Sequence, residues 1–172
     1  MSVRSAKTGA AKLVEKREKL KADLWGDELD TLKIWNRKKH TGFTTIPRVM
    51  PQLNRIMDKH SGKGKPLTST YLSLWCNVFD EGFIEIKEKT RFAFESGFSG
   101  ERAVTTWASR MRTLEELGFI SSKGGANGEF NYILILNPLN AVSNLYQDHI
   151  KKDDLYNALV GRMNDVGAKF DE

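Results

Sequence analysis

The chain has 172 residues, 40% of them hydrophobic and 28% charged, which suits one ordinary domain with a packed core and some appendages rather than a disordered chain. No apolar stretch approaches the roughly 20 residues that span a bilayer, and the N-terminus lacks the apolar stretch of a secretory leader, so a cytoplasmic protein without membrane contact is expected. The net charge of +5 is uneven: sixteen Lys and Arg face seven Asp and Glu up to Pro66, leaving eleven against fifteen beyond it. Such asymmetry points to a basic arm drawn to a polyanion, most often nucleic acid. The single cysteine, Cys76, excludes an internal disulfide and, within the apolar run Tyr71 to Cys76, reads as a small core residue.

Met1 to Ala10 are small and basic residues with no periodic apolar position, and disorder is expected there. From Ala11 to Leu24 strong helix formers take over, with Leu13, Lys16, Leu20 and Leu24 stacked on one side of a thinly apolar helix. Gly26 interrupts it, after which Leu29, Leu32, Ile34 and Trp35 make a second apolar patch and Arg37, Lys38, Lys39 and His40 a basic cluster suited to phosphate. Thr41 to Pro51 read as an irregular connection, and Pro51 suits the first turn of a short helix reaching about His60.

Ser61-Gly62-Lys63-Gly64-Lys65-Pro66 brings glycine and lysine together but fails as a nucleotide loop: the glycine spacing of a P-loop is absent, and proline follows the second lysine where Ser or Thr should open a helix. It reads as a hinge whose Lys63 and Lys65 touch a DNA backbone without reading sequence. Residues 1–65 therefore form a basic, partly disordered helical arm and hinge.

Beyond the hinge, Thr68, Ser69 and Thr70 offer N-caps to a helix reaching about Phe79, with Tyr71, Leu74, Trp75 and Val78 as its buried stripe and Asp80-Glu81-Gly82 as its stop. Phe83 to Lys87 suit a short strand. A second helix runs from about Thr90 to Ser96-Gly97, and Phe98 plugs the core at the turn. Ser99 is then expected to cap a longer helix, Gly100 to about Leu117. At 100° per residue, Ala103, Val104, Trp107, Met111, Leu114 and Leu117 share one side, with Arg102, Thr105, Thr106, Ser109, Arg112 and Thr113 opposite. Hydroxyls and guanidiniums of this kind reach base edges and phosphates. Gly118 ends the helix, Phe119 to Lys123 and Phe130 to Leu136 make two strands, and Gly124 to Gly128 turn between them.

Helix, strand, helix, helix, strand, glycine-rich loop, strand is the winged-helix order. The stretch Arg112-Thr113-Leu114-Glu115-Glu116-Leu117-Gly118-Phe119-Ile120 resembles the junction of recognition helix and wing in bacterial winged helix-turn-helix proteins, and the resemblance covers residues 66–138. It implies that Ser99, Arg102, Thr105, Thr106 and Ser109 enter a major groove, with Arg112 beside the backbone and Lys123 and Asn127 on the wing next to phosphate or the minor groove. Gly42-Phe43-Thr44-Thr45-Ile46-Pro47-Arg48 and Ala93-Phe94-Glu95-Ser96-Gly97-Phe98 are similar to proteins of plasmids and other mobile elements, which implies replication, partition, transfer control or gene regulation. Against this, Leu67 to Pro138 carry seven basic and nine acidic side chains, whereas a winged domain binding DNA alone is usually basic.

Residues 139–172 read as a C-terminal helical extension. Val142, Leu145, Tyr146 and His149 share a face of one helix, while Leu155, Leu159, Arg162 and Val166 mark another, capped by Asp153 or Asp154. These faces either pack back on the winged domain or pair with a second copy in a two-fold dimer suited to a palindromic site. Gly167 to Glu172 read as a loose tail. The three histidines are far apart, and neither a zinc-binding pattern nor a nucleophile turn occurs, so no cofactor, metal or catalytic role is expected. The expected fold is thus mainly α with a small β-hairpin: a winged helix-turn-helix core with helical N- and C-terminal extensions. The expected partner is double-stranded DNA, as a homodimer or not. The alternative is a host or plasmid protein bound by the acidic winged surface.

Overall fold

The computed structural model describes residues 3–79, 81–147 and 151–171 and divides into two compact units, Met1–Phe43 and Thr44–Glu172. In the first unit, α1 runs over Val3–Trp25 and a 3-10 turn follows over Gly26–Asp30. The helix begins well before Ala11, correcting the expectation of a disordered start. Once a helix is nucleated, each further residue adds a hydrogen bond at little cost, and the alanines at 6, 10 and 11 favour that extension.

The second unit holds α2 (Met50–His60), α3 (Thr68–Asn77), β1 (Phe83–Glu85), α4 (Lys89–Glu95), α5 (Ala103–Glu116), β2 (Ile120–Gly125), β3 (Gly128–Ile135), α6 (Pro138–Gln147) and α7 (Asp154–Val166). The strands form one antiparallel sheet in the order β1-β3-β2. Phe83 pairs with Leu134, Ile84 with Ile133 and Glu85 with Tyr132, while Ser121 and Lys123 lie opposite Leu134 and Tyr132 on the other side of β3. With α3 before β1 and α4 and α5 between β1 and the β2-β3 hairpin, this is the winged helix-turn-helix arrangement, mainly helical with a small sheet.

One continuous core joins these elements. The i, i+3, i+4 set Leu53, Ile56 and Met57 turns α2 inward, into one core with Tyr71 and Leu74 of α3, Phe92 of α4, and Trp107, Met111 and Leu114 of α5. Ile133 of β3, Val142 and Tyr146 of α6, and Leu159 and Met163 of α7 complete it. Because α2 supplies this stripe, the folded unit begins at Thr44, and the segment expected to belong to the arm is part of the core. The C-terminal helices bury Val142, Tyr146, Leu159 and Met163 in the same core, the first of the two options, with Leu145, Leu155 and Val166 partly buried against it.

Local details depart from the sequence reading where an acid from elsewhere does the capping. Leu67, not Thr68, stands at the N-cap of α3 and has no side chain to bond the free amides. Asp58 of α2 takes that role, accepting from the amides of Leu67 (2.6 Å) and Thr68 (3.1 Å) and from the Thr68 hydroxyl (2.7 Å). The same bonds clasp the Ser61–Pro66 loop, which is therefore held at both ends and is no open hinge. Ser99 does not cap α5. Its N-cap is Arg102, without a side-chain bond, because Gly100 at φ 80° sends the chain through an extra turn first. Cys76 is exposed, since α3 turns Tyr71 and Leu74 inward and the opposite side outward. Helix α3 ends at Asn77, and the expected stop at Asp80 lies outside the described residues, as does His149.

The tail after α7 is not loose. Gly167 takes the left-handed C-cap conformation at φ 73°, the Ala168 amide bonds the Met163 carbonyl (2.9 Å), and Phe170 stacks on Tyr156 at 6.1 Å. At the other end of α7, Asp153 is the N-cap, accepting from the Tyr156 amide (2.9 Å) and the Tyr146 hydroxyl (3.0 Å) while pairing with Lys59 of α2. One carboxylate thus ties three helices. Lys59 and the Tyr156 amide hold this carboxyl well below its ordinary value of 3.8. A carboxyl depressed in the folded state contributes stability that is fully present above its unfolded value and lost as the pH falls below it. Asp153→Ala should cost about 1–2 kcal/mol at neutral pH, from loss of the cap and its partners. Thermal melts from pH 7 down to pH 3 should show the variant closing that gap only below about pH 4; a gap independent of pH would contradict the assignment.

Candidate nucleic-acid interface

Trp107 fixes the long helix. Fully buried, it meets the Phe92 ring of α4 at 6.4 Å and the edge of Phe130 of β3 at 5.8 Å. With Ala103, Met111 and Leu114 beside it in the core, the opposite side of α5 is turned outward. Arg102, Thr105 and Arg112 are exposed there, Thr106, Ser109 and Thr113 half-buried, and Ser99 exposed in the preceding turn. The Thr113 hydroxyl is engaged by the Ser109 carbonyl (3.1 Å). Between Arg102 and Arg112 the helix carries no carboxylate.

The wing is locked to this helix from below. Phe130 adopts φ 61°, unusual for a bulky residue, where the ladder is irregular between Lys123 and Gly125. That conformation turns its ring against Trp107. Asn131, buried next to it, donates to the Ile86 carbonyl (3.1 Å) and accepts from the Asn127 amide (3.2 Å), so the loop is pinned to the residue that follows β1. Gly125 lies so close that a Cβ would stand 2.3 Å from Asn131 Oδ1 and 2.7 Å from Tyr132 Cε2. Lys123 and Asn127 are exposed on the finished hairpin.

Arg112 is already occupied. Its Nε and a terminal nitrogen donate to the two oxygens of Glu129 at 2.8 and 2.6 Å, bridging α5 to β3, and its guanidinium lies 5.9 Å over the Phe130 ring. The pair holds the Glu129 carboxyl below its usual range. The Arg112-Glu129 bridge, the Asn131 lock and the positive φ of Phe130 are what reading the sequence missed. The only signals for them were an acid and an asparagine flanking an aromatic directly after the glycine turn.

Lys63 and Lys65 are exposed on the loop between α2 and α3, whereas Arg37, Lys38 and Lys39 belong to the separate N-terminal unit. The sheet also has an outer face that the sequence reading passed over: Phe83, Tyr132 and Leu134 lie exposed side by side, with Phe83 and Tyr132 stacked at 6.3 Å. Beside it, Trp75, Val78, Phe79, Leu136 and Pro138 line a groove of roughly 420 Å³. Among the described residues no group of three or more His, Cys, Asp or Glu is placed to hold a metal, and no helix is long and apolar enough to cross a membrane.

Comparison with protein-family models, with curated proteins and with solved structures gave no match for this chain. The fold assignment therefore stands on strand order and helix connectivity.

The wing lock is testable at Gly125. Gly125→Ala should displace the Asn131 carboxamide from its buried partners and cost about 1–3 kcal/mol in a denaturant titration. A variant as stable as the parent would show that Asn131 does not hold the hairpin.

Proposed function

We propose that this is a cytoplasmic duplex-DNA-binding protein, a transcriptional regulator or an accessory factor in replication or partition of a plasmid or other mobile element. The uncovered side of α5 carries the reading: from Arg102 to Arg112 it offers two arginines and several hydroxyls without one acid, beside a hairpin bearing Lys123 and Asn127. Ser99, Arg102, Thr105, Thr106 and Ser109 are the residues proposed to enter the major groove, with Lys63, Lys65 and the basic arm adding phosphate contacts that position rather than specify.

The acidic balance of the winged segment is offset in part because three of its nine acids are engaged by neighbouring side chains and amides. Glu95 accepts from Ser73, Asn77 and Arg91; Glu115 accepts from the Ser122 amide and hydroxyl; Glu129 holds Arg112. Carboxylates paired with cations and hydrogen-bond donors present less free negative charge to an approaching phosphate backbone. Arg112 must exchange Glu129 for phosphate on binding, so Glu129 acts as a competitor that lowers affinity.

A second reading, a winged module that binds a host or plasmid protein, is favoured by the apolar outer face of the sheet, since contiguous exposed aromatic and aliphatic side chains mark interaction sites. The two readings separate in one experiment, duplex binding measured across a salt series. DNA binding predicts affinity falling steeply with salt, a slope lessened by about one for each phosphate-contacting cation removed, and a loss of roughly 1–3 kcal/mol for Arg102→Ala if it reads a base. Glu129→Gln should tighten binding severalfold by releasing Arg112. No measurable duplex affinity near physiological salt would reject the proposal in favour of a protein partner.

A further inference from the structure

Residues Ile34 to Phe43, all within the N-terminal unit, fold into a tight knuckle built around Asn36. The Asn36 carbonyl accepts from the amides of Lys39 and His40, both at 2.9 Å, and its side-chain oxygen accepts from the Lys38 amide at 2.8 Å. Its own amide donates to His40 Nδ1 at 2.9 Å. These bonds set the His40 ring nearly parallel to Trp35, with centroids 6.2 Å apart and an interplanar angle of 14°, while Phe43 meets the indole edge-on at 5.7 Å. The Arg37 guanidinium lies 5.8 Å over Phe43. Trp35 is nonetheless 61% exposed and Phe43 44% exposed.

Leaving an indole largely in water forgoes one of the largest burial gains available to a side chain. Here a set of hydrogen bonds holds it outward, and the surrounding charge indicates what it meets. Lys33, Arg37, Lys38 and Lys39 are all exposed, and no Asp or Glu occurs between Asp30 and Asp58. A protein interface centred on Trp35 would have to cover a ring of lysines, a residue type depleted from such interfaces. A duplex offers phosphates to the cations but no partner for the ring faces, because its bases are already stacked on one another. Unpaired bases on a phosphate backbone satisfy both groups at once.

We propose that the Trp35 knuckle binds single-stranded nucleic acid, an unpaired base stacking on Trp35 and Phe43 while Arg37, Lys38 and Lys39 hold the flanking phosphates. The site is independent of the α5 surface, lying in the other unit and using aromatic faces rather than base-edge hydrogen bonds.

The full chain is titrated with a fluorescent oligothymidylate of about 15 nucleotides and with an abasic strand of the same length and charge. The intact protein should prefer the thymidylate about tenfold, the scale of one base stacked on an aromatic ring. Trp35→Ala should abolish that preference, Trp35→Phe should keep most of it, and the combined replacement of Arg37, Lys38 and Lys39 by alanine should weaken both strands and flatten the salt dependence. Arg102→Ala should leave the preference intact, so failure of the duplex reading is told apart from failure of this one. Equal affinity of the intact protein for the two strands, a preference that survives Trp35→Ala, or no binding to either strand would overturn the proposal.

Discussion

The contact between Trp107 and Phe130 turns a helix and a hairpin into one surface. The Phe130 backbone sits at φ 61°, where a side chain costs about 1–3 kcal/mol. Burying the ring returns about 1.5–3 kcal/mol, and its edge-to-face packing on Trp107 adds about 0.5–1.5 kcal/mol. Burial therefore holds the strained backbone in place. That backbone in turn sets the direction in which the glycine turn leaves the sheet, so the orientation of the wing relative to α5 follows from a single aromatic pair, with Asn131 and the Arg112-Glu129 bridge restraining it on either side.

Much of the architecture was readable because it rests on periodicity. The stripes Tyr71/Leu74 and Trp107/Met111/Leu114 lie where a 3.6-residue repeat puts them, and Gly118 and the Gly124–Gly128 turn punctuate the chain as their residue types require. What escaped was whatever depends on partners distant in sequence. Asp58 looks like any charged helix residue until Leu67 and Thr68 fold back onto it, and nothing near Asp153 announces Lys59, more than ninety positions earlier. The loose tail and the open hinge were misjudged for the same reason: each looked polar and short, and each is held by a contact that only the tertiary fold supplies. The candidate site divided similarly. Which side of α5 faces outward was legible from the helical wheel, but not that Arg112 would be held by Glu129.

The distribution of carboxylates also bears on how a nearly neutral domain can present a stretch of helix, Arg102 to Arg112, without acids. Asp58 and Asp153 serve the amides at helix starts, Glu95 links α3 to α4, and Glu115 fixes the base of the hairpin. Each satisfies donors that would otherwise be left without a partner. Net charge counts these groups as free charge; their hydrogen bonds tie each to a neighbouring element.

The two units solve different problems with their aromatic residues. Around α5 the rings of Phe92, Trp107 and Phe130 are consumed by the core, and the outward side of the helix is left with groups that make directional hydrogen bonds. In the N-terminal unit the reverse holds: with no core to consume them, Trp35 and Phe43 keep their faces in solvent, braced by backbone bonds to Asn36 and surrounded by cations. Under the two proposals, the hydrogen-bonding side of α5 would meet paired nucleic acid and the aromatic faces of the knuckle unpaired bases, which would make the basic arm more than a source of charge for the winged domain.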